Sequence, residues 1–453
     1  MRFDELEHSR VGIIGTGREG RSVWRQFRRR FPGKPLSLFS ETAVDDGFLQ
    51  QLDPALDTLE TGPLDVAELA QFDVLVRSAG VSIYRDELVE LRNRGVRFTT
   101  ASSLWFAENP AARTICVTGT LGKSTTAKLT AHLLTHAGVK AQLAGNIGRP
   151  MLDCDGEGVD WWVIELSSFQ VSDLEAKPDI AVLLNISEDH LDWHRGFENY
   201  RADKLRLAEL ARGGCVIANF ADDELKKSLM GSPCVTWFNF ITQWVAGNDY
   251  VIRMSEMTDM PGVVYDQISG SASLPGEHNM HNLAAALTVL DTLGLEVPDM
   301  HDALFSYAAL PHRLQTIGFR SGIRYVDDSI STTPVSVKAA LRAMGGSGVV
   351  LLLGGMDRGL DWSGFAETLA SQAPHAIITL PDNGPRILAA LEAAGVSPAG
   401  GMHAAKDLQA AVTLAERLAP DNGCILLSPG APSFPHFRDF EDRGDQFRKF
   451  SGF

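Results

Sequence analysis

The run Cys116-Val117-Thr118-Gly119-Thr120-Leu121-Gly122-Lys123-Ser124-Thr125-Thr126 carries the densest chemistry in the chain. Glycines let backbone N–H groups converge on an anion, and a lysine beside them neutralises β- and γ-phosphate charge. Ser124 or Thr125 offers a hydroxyl to Mg2+. An apolar stretch at 114–117 precedes the turn, and a helix-period segment from about 124 to 138 follows it. The pattern predicts a strand, a phosphate-binding loop and a helix whose N-terminus faces a nucleoside triphosphate. Val117 stands where the first glycine of the full G-x-x-x-x-G-K-[ST] signature would be, so a plain glycine turn before a lysine-bearing helix is the competing reading.

Further chemistry falls at the ends of other apolar runs. Glu165 closes the run 161–164 and begins Glu165-Leu166-Ser167-Ser168-Phe169-Gln170. A carboxylate at a strand's carboxyl end suits the cation that a phosphate loop requires, although a capping acid before a Ser-Ser turn would look the same. The segment Asn185-Ile186-Ser187-Glu188-Asp189-His190-Leu191-Asp192 likewise ends an apolar strand and offers a second Mg2+ site through His190. His190 and His194, four residues apart, could instead suggest zinc, but no third ligand pattern accompanies them. Lys204, within Arg201-Ala202-Asp203-Lys204-Leu205, reads by itself as a solvated helical lysine. Asn279 and Asn282 share one face near a helix start and could bracket an adenine or a phosphate, or simply cap the helix. Arg313 in Leu310-Pro311-His312-Arg313 could reach a triphosphate.

The elements that must position these groups alternate apolar strands with helical segments, an α/β pattern that separates into three blocks. The expected boundaries are 1–101, 102–309 and 310–453: a Rossmann-like domain, a central ATPase domain with a parallel sheet, and a second Rossmann-like α/β domain. The first block holds strands at 11–14, 36–39 and 73–77; after the first of them comes Gly15-Thr16-Gly17-Arg18-Glu19-Gly20. A lone G-x-G-x-x-G fits NAD or a nucleotide-sugar pyrophosphate; Glu41 is only a fair ribose ligand for NAD, and the triphosphate loop that follows favours the nucleotide sugar.

With 453 residues, 44% hydrophobic and 22% charged, the chain has ample core for several domains. A net charge of −16 argues against nucleic acid or a membrane surface as partner. The five cysteines form no C-x-x-C pair, as expected of buried thiols in a reducing compartment. The first residues lack an apolar signal core and no run is long enough to span a bilayer, so a cytoplasmic protein without membrane insertion is expected.

Taken in order, these segments resemble the Mur ligase family, the ATP-dependent amino-acid ligases of peptidoglycan precursor synthesis. The resemblance is carried by T-G-T-x-G-K-[ST]-[ST] at 118–125, E-L-S-S-F-Q at 165–170, N-x-x-x-D-H-L-D at 185–192, H-N-x-x-N at 278–282, P-H-R at 311–313 and D-D-S at 327–329. The N-terminal glycine motif and the closing segment Leu427-Ser428-Pro429 to Phe440-Glu441-Asp442-Arg443-Gly444 are similar to the glutamate-adding branch. That resemblance implies UDP-N-acetylmuramoyl-L-alanine, glutamate and ATP as substrates, two Mg2+ sites, and a monomer. Gly119, Thr120, Gly122, Lys123, Ser124, Thr125, Asn279, Asn282, Arg313 and Asp328 would bind ATP. Ser124, Glu165 and His190 would serve the metals, and Lys204 matches a lysine that family members carbamylate, which would make it a metal ligand and, with Lys123, Glu165 and His190, a catalytic residue. Arg18, Glu19, Ser40 and Ser78 occupy the uridine-diphosphate positions; Asn146, Ser167 and Gln170 occupy the muramoyl-alanine positions. Thr332, Arg358, Ser433 and Phe440 would meet the amino acid.

Four positions depart from the family pattern. Leu121 replaces an asparagine in the phosphate loop; Ile330 replaces a lysine; Arg358 stands where a lysine is usual; and Gly430-Ala431-Pro432 replaces Ala-Cys-Ala. Three of the four fall on the expected amino-acid pocket. The α-carboxylate of glutamate points differently in its two enantiomers, so re-aimed cations fit an L-glutamate-adding variant working with an epimerase of the dipeptide product. The alternatives are the same reaction with D-glutamate, an NAD-dependent oxidoreductase built on the first block, and a nucleotide-gated binding protein.

Overall fold

The computed structural model describes residues 1–453 except 148, 212, 241–242, 249, 256–257, 266–273 and 347, and without the side chains of 254–255 and 258–264. Two compact units are formed by the chain: Met1–Trp244 with Ala284–Met300, and Val245–Leu283 with His301–Phe453.

The first unit holds two parallel sheets. Strands β1 (Val11–Ile14), β2 (Leu36–Ser40), β3 (Asp57–Thr61), β4 (Val74–Arg77) and β5 (Arg97–Thr100) lie in the order β3-β2-β1-β4-β5. Ile13 of β1 pairs with Leu38 on one side and Val76 on the other. After β1 the chain turns through Gly15 at φ +94 and enters helix α1 (Arg18–Arg30). A Cβ on Gly20 would lie 1.9 Å from the Gly15 carbonyl oxygen, so that glycine is what lets α1 start against the turn.

The second sheet comprises β6 (Thr114–Thr118), β7 (Ala141–Gly145), β8 (Trp161–Glu165), β9 (Ile180–Leu183), β10 (Cys215–Asn219) and β11 (Val235–Phe238), ordered β11-β10-β9-β6-β8-β7. Its central strands are buried along their whole length, which is why they read as continuous apolar runs. Val117 of β6 sits in register with Glu165 of β8 and Val182 of β9. The loops that leave these three strands therefore emerge at one edge, the place where parallel sheets bind ligands. Helix α2 (Lys123–His136) follows β6, and α3 (Phe197–Leu210) packs on the same sheet.

A three-stranded sheet of β12 (Trp244–Ala246), β13 (Val251–Ser255) and β14 (Thr258–Tyr265) comes next, then helix α4 (Glu277–Thr292). The C-terminal sheet contains β15 (Gln315–Arg320), β16 (Ile323–Asp327), β17 (Val349–Gly355), β18 (Ala376–Asp382), β19 (Met402–Ala404) and β20 (Cys424–Leu427), ordered β15-β16-β20-β17-β18-β19. All its neighbours are parallel except the β15–β16 hairpin. Helix α5 (Phe440–Phe450) closes the chain against it, with Phe447 in the core.

The sheets occupy residues 11–100, 114–238, 244–265 and 315–427. Strands β3, β5, β7, β11, β15 and β19 and the small sheet were not expected. All six are partly exposed sheet-edge strands, and β3 reads Asp-Thr-Leu-Glu-Thr, with no apolar run to reveal it. Helix α3 begins at Phe197 rather than near Asn199, after a left-handed Arg195 and Gly196. No helix among the described residues is long and apolar enough to cross a membrane.

Candidate active site

The loop after β6 is held open by backbone geometry. Gly122 is left-handed at φ +83 and caps α2, and a Cβ on Gly119 would meet the Leu184 side chain at 2.9 Å. Asn185 clamps the loop from the end of β9: its carbonyl accepts from Thr120 N (2.9 Å), its Oδ1 accepts from Leu121 N (2.8 Å) and its Nδ2 donates to Leu121 O (3.1 Å). The Thr120 hydroxyl lies 2.8 Å from the Tyr200 hydroxyl and accepts from Ser187 N. The exposed Leu121 therefore supplies only backbone to the loop, which survives its change from asparagine intact.

Two lysines converge on one carbonyl. Lys123 Nζ donates to Gly119 O (3.0 Å) and Thr120 O (2.9 Å), and Lys204 Nζ donates to the same Gly119 O at 2.7 Å. Lys204 is 2% exposed. Burial, reinforced by the Lys123 charge, holds its ammonium well below the usual lysine range, while Asp189, Glu165 and Asp203 oppose that shift. The solvated-lysine reading of the isolated segment is thus overturned. The missed signal was local: Tyr200, Lys204 and Leu207 share one helical face, and both neighbours are buried.

Glu165 ends β8 at 2% exposure. Its Oε1 accepts from Asn146 Nδ2 at 3.0 Å, whereas its Oε2 is buried with no hydrogen-bond partner among the described residues. A buried carboxylate oxygen without a donor is costly, and a cation would satisfy it. The carboxylate, the hydroxyls of Ser124 and Thr125 at the start of α2 and the phosphates of a nucleotide are hard oxygen donors, the set that Mg2+ takes. Among the described residues no three His, Cys, Asp or Glu side chains gather into a ready-made metal cage. His190 is left-handed (φ 49), pairs with Asp189 at 3.4 Å and packs edge-on against Phe169. His194 takes no part in a histidine pair: its ring is fully buried, with Nδ1 2.6 Å from Asp203 Oδ2 and Nε2 3.0 Å from Ser168 Oγ. Asp203 Oδ1 also accepts from Tyr84 OH at 2.9 Å. This chain of groups was not legible as a unit, because its members lie far apart in sequence.

The N-terminal candidates meet the central ones within this unit. Ser167 caps the short turn Ser168–Val171 and forms a reciprocal capping box with Gln170. Gln170 Nε2 then donates to Glu19 Oε1 (2.7 Å), and Glu19 Oε2 accepts from Ala79 N. Ser78 Oγ donates to Gly15 O (2.9 Å); Ser40 Oγ accepts from Thr16 and donates to Thr42 O. Arg18 opens α1 and is exposed. Glu41, the fair NAD ligand, pairs with Arg85 instead. Buried Arg77 ties the two sheets' segments together through a bidentate pair with Asp173 (3.0 and 2.6 Å).

In the second unit, Asn279 and Asn282 are buried at the start of α4; Asn279 Nδ2 donates to Pro275 O and Asn282 Nδ2 to Asn279 Oδ1. Arg313, in the same unit, and burial together hold His278 down to about 4, burial being the larger cause. Asp328 accepts from Ser428 Oγ (2.7 Å) and Leu314 N (3.2 Å). Burial pushes its carboxyl up to about 7 despite the Ser428 bond and the Arg313 charge. Thr332 is half-buried and Arg358 exposed, while Ser433 is buried and lines a cavity of about 310 Å3 with Gly355, His436 and Gln446. Phe440 begins α5. Thr332, Arg358 and Phe440 do not line that cavity.

A glycine loop at a helix N-terminus, a buried lysine beside it and a buried carboxylate oxygen without a hydrogen-bond partner among the described residues are features that a nucleotide-dependent enzyme uses. Residues 117–290 match the Mur ligase middle domain, and residues 312–430 match the glutamate ligase domain of Mur ligases. A UDP-N-acetylmuramoyl-L-alanine–L-glutamate ligase of Xanthomonas oryzae pv. oryzae is 41% identical over all of this chain and 97% of its own length. The protein of the same name from Salinispora tropica is 38% identical, covering 99% of this chain and 98% of its own. Among solved structures, a UDP-N-acetylmuramate-alanine ligase from Thermotoga maritima superposes with TM-score 0.59 at 19% identity, covering 98% of this chain and 99% of its own. The chain belongs to the Mur ligase family and has its three-domain α/β fold. It is an ATP-dependent ligase that forms amide bonds.

Proposed function

We propose that the protein joins L-glutamate to UDP-N-acetylmuramoyl-L-alanine, forming UDP-N-acetylmuramoyl-L-alanyl-L-glutamate for peptidoglycan synthesis. The observation that carries this reading is full-length similarity, at about 41% identity, to proteins named for that reaction. The departures at Ile330, Arg358 and 430–432, all in the segment expected to meet the amino acid, support the same enantiomer.

In this reading the alanine carboxylate attacks the γ-phosphorus of ATP and ADP leaves, producing an acyl phosphate. The glutamate amine then attacks that carbonyl carbon, loses a proton, and expels phosphate. Bringing a carboxylate to a triphosphate concentrates negative charge, so Lys123, Arg313 and the N–H groups at the start of α2 serve to offset it. Glu165, Ser124, Thr125 and His190 are the residues that would hold Mg2+ at two sites, where it would supply further positive charge. Burial beside Lys123 disfavours the ammonium form of Lys204, and the neutral amine is the state that adds carbon dioxide; a carbamate there would supply a further carboxylate for a metal. Asn279, Asn282 and Asp328 are assigned to the nucleotide. Arg18, Glu19, Ser40, Ser78, Asn146, Ser167 and Gln170 are assigned to the UDP-sugar, and Thr332, Arg358, Ser433 and Phe440 to glutamate. The same reading takes 1–101, 102–309 and 310–453 as the domain spans, a cytoplasmic monomer as the working form, and an epimerase of the dipeptide as the functional partner.

ADP release with UDP-N-acetylmuramoyl-L-alanine and, separately, L- or D-glutamate tests it. Turnover that depends on the muramoyl substrate and is faster with L-glutamate is expected. Faster turnover with D-glutamate would overturn the enantiomer, and ADP release indifferent to both co-substrates would overturn the ligase substrate.

A further inference from the structure

Arg443, on α5, is fully buried, and among the described residues no carboxylate lies within ion-pair distance of it. Its guanidinium is spent on backbone instead. Nη2 donates to Ser329 O (2.7 Å), Nε to Ser329 Oγ (3.0 Å) and Nη1 to Ala431 O (3.0 Å). The Ser329 hydroxyl passes the connection on by donating to Phe440 O at 2.8 Å. One rigid planar fork thus ties the loop after β16 to the loop after β20 and to the start of α5.

The loop after β17 presses on the same group. Gly355 lies at φ +154, and a Cβ there would stand 3.2 Å from Arg443 Nη1 and 2.5 Å from Pro432 O. Next along α5, Gly444 admits the ring of His312, since a Cβ would lie 2.0 Å from His312 Nδ1. Two stretches of chain are therefore bonded to one side chain, a third is tied to it through Ser329 Oγ, and Gly355 leaves room for it on a fourth. Each carries a residue assigned above to glutamate: Thr332 beyond Ser329, Arg358 beyond Gly355, Ser433 beyond Ala431, and Phe440 itself. Arg358 is exposed and Thr332 half-buried, so their placement depends on the backbone beneath them. Asp328 is fixed separately, by Ser428 Oγ and Leu314 N.

We infer that Arg443 is a positioning residue for the amino-acid pocket, fixing the loops that select one glutamate enantiomer without touching glutamate. The inference rests on the glutamate-ligase reading. Lysine in its place keeps a charge but cannot reach three acceptors in one plane, so the loops would shift relative to one another while the nucleotide contacts at Asp328 stay.

Steady-state kinetics of full-length Arg443→Lys and Ser329→Ala, with each substrate varied in turn, test it. Loss of charge-assisted bonds in Arg443→Lys should raise KM for L-glutamate about 10- to 100-fold, and Ser329→Ala should raise it about 5-fold. The preference for L- over D-glutamate should shrink in both, with KM for ATP changing less than about 3-fold. Folded variants with unchanged glutamate KM and unchanged enantiomer preference would overturn the inference. So would equal rises in the KM of ATP and glutamate, the mark of general loosening. If Arg443→Lys fails to fold, Ser329→Ala alone decides between these outcomes. Wild-type protein that turns over neither enantiomer overturns the glutamate reading, and this inference with it; active wild type with indifferent variants overturns this inference alone.

Discussion

Among the described residues, three lysine or arginine side chains are fully buried: Arg77, Lys204 and Arg443. Arg77 has a carboxylate partner in Asp173, but the other two have none within ion-pair distance among the described residues. Lys204, beside the phosphate loop, makes a single hydrogen bond to Gly119 O; Arg443, behind the C-terminal loops, makes three. The chemistry of the side chains explains the contrast. A lysine buried next to another lysine can shed its proton, and the desolvation cost then largely disappears. Burial pushes Arg443 down only to about 10, so it keeps its charge near neutral pH and must find acceptors for its donors. Burial without a direct ion-pair partner among the described residues disfavours the charged amine in one region and leaves a structural fork in the other.

The largest effect should come from breaking the lysine half. Lys204→Ala should reduce ligase turnover about a thousand-fold, as expected when an electrostatic element of phosphoryl transfer is lost. If the active form is a carbamate, millimolar short-chain carboxylates should restore part of the rate in Lys204→Ala. Lys204→Arg, charged and unable to add carbon dioxide, should stay inactive. A Lys204→Arg variant with full turnover would show that positive charge, not deprotonation, is what this position supplies. For the arginine half the readout is stability rather than rate. Arg443→Met removes the donors to Ser329 O and Ala431 O while leaving both carbonyls buried, and should destabilise the protein by about 3 kcal/mol. Denaturant melts that coincide with the parent would contradict the clamp.

Much of this arrangement could be read from the chain and some could not. Runs such as 114–117 and 180–184 announced central strands because both faces are buried, and loops rich in polar residues follow them directly. Asp57–Thr61 was invisible because an edge strand needs no apolar run. At Lys204 the burial of Tyr200 and Leu207 on its own face was a local clue, but the decisive partner, Gly119 O, lies 85 residues away. Arg443 had no such clue: two of its three acceptors are main-chain carbonyls, which any sequence supplies, and Ser329 is 114 residues distant. Side chains that act on backbone leave little trace in residue type.

The next effect in size turns on pH. Lys204→Met removes the buried amine, while Gly119 O keeps Lys123 as donor, so the variant should be more stable by about 1–2 kcal/mol at pH 7. The folded lysine is held below its ordinary 10.5. Between those two values the unfolded chain binds a proton that the folded chain does not, so parental stability rises with pH across that window. The advantage of Lys204→Met should therefore shrink as pH climbs toward 10.5. Paired melts in degassed buffer at pH 7 and 9.5 measure this directly, and an advantage that grew with pH would mean that the folded amine is protonated.

The smallest effect sharpens where the lysine environment ends. Tyr84 OH donates to Asp203, the residue before Lys204, yet makes no bond to the lysine itself. Asp203 keeps His194 when Tyr84 is replaced, so its carboxylate retains one strong partner. Tyr84→Phe should then cost about 1 kcal/mol of stability and change turnover less than about 3-fold. Ser329→Ala stands in contrast, because it deletes an acceptor of Arg443 directly and should act on glutamate binding. A large loss of turnover in Tyr84→Phe with normal melting would show that the Tyr84 bond, and not only the charge of Asp203, sets the environment of Lys204.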